Sequence, residues 1–192
     1  MERSGVTTNT VNKKAKVRKI QTCTAEYSPA EDRVRLNCVD LEGAPFTFWI
    51  TQRLLSNLVA ASVGKIEEAI SKTGEMKYSK AHSTSLNRLE QQAARQQKLI
   101  KPGVKPVRLD YNHDTWLCHS VDIVTLSKGF NLQFKPEEGL DEMCTIMLKT
   151  QDYRNFLDII LRTYNKAGWS ISIFPSWLVN DRQSPESVSL LN

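Results

Sequence analysis

The chain has 192 residues, of which 40% are hydrophobic and 24% charged, and its formal net charge is +5. These fractions are those of ordinary globular proteins, so they exclude a wholly disordered chain. No apolar run approaches the roughly 20 residues of a membrane-spanning helix, and none follows the basic N-terminal residues as in a secretory signal. We therefore expect a cytoplasmic protein with no membrane partner.

The basic excess is confined to two parts of the sequence. Residues 1–20 hold six basic and one acidic side chains, residues 64–107 hold nine and four, and the remaining stretches are mildly acidic. Such a distribution favours an anionic partner, but it is also typical of segments that only solubilise. The candidate anion or nucleic-acid contacts are Lys13, Lys14, Lys16, Arg18, Lys19, Arg33 and Arg35.

The first half of the chain reads as a basic flexible tail (1–19) followed by a strand–strand–strand–helix unit (20–74). An apolar-rich stretch at 16–27 predicts a leading strand. Residues 33–38 and 46–50 alternate with the period of two of half-buried strands, on either side of a turn that contains Gly43. Apolar residues from Leu54 to Ile70 then recur with the period of an amphipathic helix.

The connector (75–107) differs in composition, because it is rich in Lys, Gln and Ser and poor in aromatic residues. Its helix-forming run at 88–98 carries only a narrow apolar stripe, made of Leu86, Leu89, Ala93 and Ile100. A stripe this narrow favours a solvated bridging helix, with docking on the core or pairing with a partner as the alternatives.

The second half (108–179) repeats the order of the first at offsets of 96 and then 98 residues, so that 130–134 matches 34–38 and 144–148 matches 46–50. An alternating run at 169–174 predicts an extra C-terminal strand, and 180–192 reads as a tail. The predicted fold class is therefore α+β, with two pseudo-repeated β-β-β-α units packed as one body and joined by a polar, partly helical connector. One mixed sheet whose halves merely look alike is the alternative.

Catalytic residue types gather only between Asp110 and Asp122, around His113, Cys118 and His119. On a strand Cys118 and His119 point to opposite faces, so they do not form a dyad. No phosphate-binding loop, hydrolase elbow or paired metal-ligand motif occurs, and the four cysteines read as small buried hydrophobes. We predict no catalytic residue, no metal site and no cofactor.

Trp49 lies out of phase with the apolar face of its strand, and Met147 is its counterpart in the second half. A large apolar residue on an outer sheet face indicates that the face is covered, either by the rest of the chain or by a partner. Trp177, near the end of the second unit, suggests either a packed clamp or an anchor for a partner. Trp49, Met147 and Trp177 are therefore the candidate partner contacts.

These observations favour a non-catalytic binding or accessory protein that acts through protein–protein contacts, with another protein or as a homo-oligomer, as a subunit of a larger assembly. A nucleic-acid-binding protein that uses the basic tail and connector is the alternative. An enzyme with a site near His113 and His119 is the second alternative.

Overall fold

The computed structural model describes residues 16–72, 80–100, 107, 115–137 and 142–179. The strands are β1 (Lys16–Ser28), β2 (Arg33–Asp40), β3 (Pro45–Thr51), β4 (Thr115–Leu117), β5 (Ser120–Leu126), β6 (Gly129–Lys135) and β7 (Glu142–Lys149). The helices are α1 (Gln52–Lys72), α2 (Lys80–Ile100), α3 (Thr150–Ala167) and α4 (Ser176–Val179). No helix within these ranges is long and apolar enough to span a membrane.

The β2–β3 hairpin forms where the alternation predicts it. Leu36 is paired with Phe48 across the antiparallel strands, and both side chains are buried on the same face. The turn is stabilised by Asp40, whose carboxylate Oδ1 accepts hydrogen bonds from the backbone N–H groups of Glu42 and Ala44 at 3.0 and 2.8 Å. Gly43 adopts a φ of +82° there, a left-handed conformation that glycine reaches without steric cost.

All seven strands belong to one mixed sheet, in the order β4-β3-β2-β1-β7-β6-β5. Two parallel contacts join its parts, one between β1 and β7 and the other between β3 and β4. The sheet curls so far that its two end strands meet, because only Cys118 and His119 separate β4 from β5. The Cys118 N–H donates to Trp49 O on β3 and the His119 N–H to Lys135 O on β6, both at 2.8 Å.

The hydrophobic core lies between the inner face of this curled sheet and the helices α1 and α3. Aromatic rings cross its centre, where Phe48 stacks on Trp116 at 4.8 Å and lies 5.0 Å from Phe134 between ring centroids. On α3, Tyr153 stacks on Phe130 at 4.3 Å. The contact between Tyr153 and Phe130 holds α3 on the strands of the second half.

The connector helix α2 differs from the prediction, because it packs on α3 through a polar face. Its buried residues are Asn87, Gln91 and Ala94, whereas Leu89 of the predicted stripe is 61% exposed. Gln91 Nε2 donates to the backbone carbonyl of Arg154 at 3.2 Å. Apolar periodicity does not predict such a face, because two of its three buried residues are polar and form hydrogen bonds with α3.

The predicted boundaries at both ends of the fold also need correction. Strand β1 begins at Lys16, so the predicted tail (1–19) ends too late. Residues 169–174 form no strand: after Gly168 (φ +70°), the chain turns back on α3. The rings of Trp169 and Phe174 each lie edge-on to Tyr164, with centroids 5.1 Å away. Trp169 and Phe174 thus pack on α3 as separate side chains and not as one face of a strand.

Candidate functional site

The outer face of the sheet carries an exposed apolar surface on β5 and β7. Val124 is paired with Asn131 on β6, and Asn131 with Met147 on β7, so the three side chains point to the same face. Leu126 follows Val124 by two residues and joins them on that face. The exposed fractions of Val124, Leu126 and Met147 are 41%, 41% and 72%. We call these three residues the outer apolar patch.

Trp49, the predicted counterpart of Met147, lies on the outer face of β3, but it is only half-exposed. Arg35 is its paired neighbour on β2, and the guanidinium carbon lies 5.9 Å from the centroid of the Trp49 ring. The carboxylate of Glu26 on β1 accepts a hydrogen bond from Arg35 Nη2 at 3.0 Å. An ion pair on the neighbouring strands of the same half therefore lies over part of the Trp49 ring.

Trp177 lies in α4 and is only 2% exposed, so it is packed within the chain. Its indole N–H donates to the Glu67 carboxylate on α1 at 3.2 Å. The Arg154 guanidinium lies 5.5 Å from the centroid of its ring. The sequence suggested either a packed clamp or an anchor for a partner. Trp177 packs against α1 and α3 and is too buried to contact a partner, so the structure favours the clamp.

The basic residues chosen from the sequence do not form one surface. Arg18 is buried over the ring of Phe46 on the inner face, and its Nη2 lies 3.5 Å from the carboxylate of Glu142. Lys16 and Lys19 are exposed on β1, and Lys16 also lies near Glu142 at 3.8 Å. Arg33 is half-buried on β2, and Arg35 is paired as described above. Lys13 and Lys14 lie outside the described residues.

The cluster of catalytic residue types is only partly within the described residues, because His113 and Asp114 fall outside them. Cys118 is 2% exposed and His119 is exposed, and both lie between β4 and β5 rather than on a strand as predicted. Burial raises the pKa of the Cys118 thiol to about 12, so this group is protonated near neutral pH. Within the described ranges, no group of three or more His, Cys, Asp or Glu side chains is arranged to hold a metal ion.

A partly open apolar cavity of about 190 Å³ lies where β1 and β7 separate. The two strands pair in parallel only as far as Lys19 and Thr145. Beyond that point α3 covers the gap between them. The cavity is lined by Ile20 and Ala25 of β1, by Ile146 and Leu148 of β7, and by Phe156 and Ile160 of α3, with further apolar side chains behind them.

The cavity has few polar groups in its wall, namely Cys23, Asp152 and Thr163. The hydroxyl of Thr163 is engaged, because it donates to the Ile159 carbonyl at 2.9 Å. Cys23 is exposed to solvent, so the cavity reaches the surface beside it.

Cys23 and Cys38 face each other across β1 and β2, and their sulfur atoms lie 3.3 Å apart. Both are free thiols, but only Cys23 is exposed, whereas Cys38, Cys118 and Cys144 are buried. The hydrogen bond between Cys38 and Cys23, together with burial, raises the pKa of the Cys38 thiol. Cys23 is therefore the thiol that a reagent in solution reaches first.

The alternation of the strands already placed Trp49 and Met147 on the outer face. It did not show which of the two is more exposed, because that depends on the side chains of the neighbouring strands. Nothing in the sequence signals the cavity. It results from the separation of β1 and β7, which are more than 100 residues apart in the chain.

Comparisons of the chain with protein-family models, with curated protein sequences and with solved structures yield no match in any of the three cases.

Proposed function

We propose that this chain is a non-catalytic binding protein that contacts another protein chain through the outer apolar patch of Val124, Leu126 and Met147. The observation that carries the proposal is the exposure of these three side chains on one sheet face, with Met147 72% exposed. Apolar residues grouped on the outside of a sheet, unlike scattered single ones, mark a protein contact or a site of aggregation.

The contrast between the two halves of the sheet supports this choice. On the first half, the Arg35–Glu26 ion pair covers part of Trp49, which is half-exposed. On the second half, the neighbours of Met147 in the same row are Asn131 and Val124, which are too short to cover a methionine side chain. The outer apolar patch, which no described residue covers, is thus the surface best suited to a partner.

The rim of the patch suggests the chemistry of that partner. Leu126 is paired with Gly129, and Gly129 with Lys149, so the side chain of Lys149 lies on the same face as the patch. Lys128 lies in the adjacent turn and is exposed. A partner with an apolar centre and carboxylates at its rim would complement both features, because charged pairs at a rim favour the correct orientation.

The proposal includes the finer features expected from the sequence. The element order β1–β2–β3–α1 recurs as β5–β6–β7–α3, which supports two pseudo-repeated β-β-β-α units. Two parallel strand pairs, β1 with β7 and β3 with β4, join the halves. A cytoplasmic location fits the three buried thiols, since reducing compartments keep cysteines unpaired.

The test is site-specific photo-crosslinking in the cells that make the protein. A photoreactive amino acid is introduced at position 147 or, in a second variant, at position 124. We expect both variants to yield the same adduct with one defined protein, and mass spectrometry identifies it. An adduct of twice the mass of the chain would identify the partner as a second copy.

Gln92, which is exposed on α2, is the matched control position. The adduct should not form from position 92, and Leu126→Asp should remove it from position 147 while circular dichroism shows that the fold is retained. Adducts that are equal from all three positions, or absent from both patch positions, would refute the proposed contact.

A further inference from the structure

We propose that the cavity between α3 and the separated strands β1 and β7 binds a small aromatic amine, with its ring inside the cavity and its ammonium group beside Asp152. This inference is independent of the outer apolar patch, which lies on the opposite face of the sheet.

The size and lining of the cavity define the apolar part of the ligand. A cavity of about 150 Å³ lined by aliphatic and aromatic side chains holds benzene, so 190 Å³ has room for one ring with a short substituent. The rings of Phe48, Phe134 and Phe156 contribute to the wall, and they offer a ligand ring edge and face contacts.

The charge of the wall defines the polar part. Asp152 is the one charged residue among those lining the cavity, and it is half-buried. It lies in the first turn of α3, where the helix dipole favours a negatively charged carboxylate. No described basic side chain forms a salt bridge with Asp152. A cationic head group therefore suits this position better than a neutral or anionic one.

Cys23 supplies the measurement, because it is the exposed thiol of the cavity wall and the other three cysteines are buried. The full chain is treated with a chromogenic disulfide reagent at neutral pH, with and without benzylamine. We expect benzylamine to slow the fast-reacting thiol in a saturable manner, with half-maximal protection near 1 mM or below. Cys23→Ser should remove the fast phase and so identify the thiol that is followed.

Matched ligands and variants separate the two parts of the proposal. Phenylacetate, which carries a carboxylate on the same ring and spacer, should protect less than benzylamine. Asp152→Asn should weaken benzylamine binding by about five-fold, as for a partly exposed ion pair, while the neutral ligand toluene protects Cys23 as before. Ala25→Leu places a larger side chain in the cavity and should abolish protection by every ligand.

Chemical-shift titration of the same variants supplies a readout that does not depend on thiol chemistry. Absence of saturable binding by benzylamine in both measurements would overturn the proposal. Equal affinity for benzylamine and phenylacetate, or an unchanged affinity for benzylamine in Asp152→Asn, would overturn the assignment of an amine.

Discussion

The hydrogen bond between Tyr153 and Ser62 offers a sharp test of how the two long helices of the core are joined. Tyr153 on α3 donates its phenolic O–H to Ser62 Oγ on α1 at 2.5 Å, and both residues are fully buried. We predict that either partner is costly to remove alone and that removing both costs much less than the sum of the single changes.

The magnitudes follow from what each change leaves behind. Ser62→Ala leaves the Tyr153 hydroxyl buried without its partner, which costs about 2 kcal/mol of unfolding free energy. Tyr153→Phe should cost less, about 1 kcal/mol, because the Ser62 hydroxyl can turn to the carbonyl of Leu58 one helical turn earlier. In the double variant both polar groups are gone, so the coupling energy should be about 1 to 2 kcal/mol.

The assay is urea unfolding of the four proteins, followed by tryptophan fluorescence and circular dichroism. Equal m-values in all four would show that the changes act on stability and not on the extent of unfolding. If the two single costs simply add in the double variant, the residues do not interact and the contact between α1 and α3 is not as described.

The same hydroxyl predicts a pH dependence. Burial raises the pKa of Tyr153 to about 12, above its ordinary value of 10.0. Because the folded state then holds its proton more tightly than the unfolded chain, the stabilisation is fully present below pH 10 and is lost as the pH rises towards 12. The advantage of wild type over Tyr153→Phe in unfolding free energy should therefore fall over this interval and reverse its sign, because two pKa units correspond to about 2.7 kcal/mol. An advantage that stays constant or increases with pH would contradict the assignment.

Three further substitutions test the packing of the strands and helices. Gly129→Ala should lower the unfolding free energy by about 3 kcal/mol or more, as measured by urea unfolding. The backbone φ is +152° there, and a Cβ would lie 2.1 Å from the carbonyl oxygen of Leu148. Gly64→Ala is its matched control in open space on α1 and should instead raise the unfolding free energy by up to about 1 kcal/mol. Arg154→Met keeps about the same volume in a side chain that is 1% exposed, but it leaves the buried amide oxygen of Asn87 without its 2.9 Å bond. A loss of about 1 to 3 kcal/mol is expected, and an unchanged urea midpoint would contradict it.

Much of the local structure could be predicted from the sequence, because it follows from side-chain periodicity. The alternation at 33–38 and 46–50 lies within β2 and β3, and the apolar stripe from Leu54 to Ile70 lies within α1. Each of these patterns depends on neighbours within about 20 residues. The outer position of Trp49 and Met147 was available from the same alternation.

The contacts between distant residues were decided only by the tertiary structure. The polar face of α2 carries no apolar period, and its burial depends on Arg154 of α3, more than 60 residues away. Trp49 is less exposed than Met147 because its neighbour across the strands is the long side chain of Arg35, whereas the neighbour of Met147 is Asn131. The local sequence pattern predicts none of these pairings.

The sequence by itself therefore determined where most strands and helices form and which strand faces are apolar, since alternating side chains must turn to opposite sides of a strand. The run at 169–174, which alternates but forms no strand, is the exception. Only the tertiary structure decided that β1 and β7 pair for four residues and then part, and so left a cavity beneath α3. The pairing of strands and the space between them depend on how segments that are distant in the sequence pack together, and local periodicity does not predict that packing.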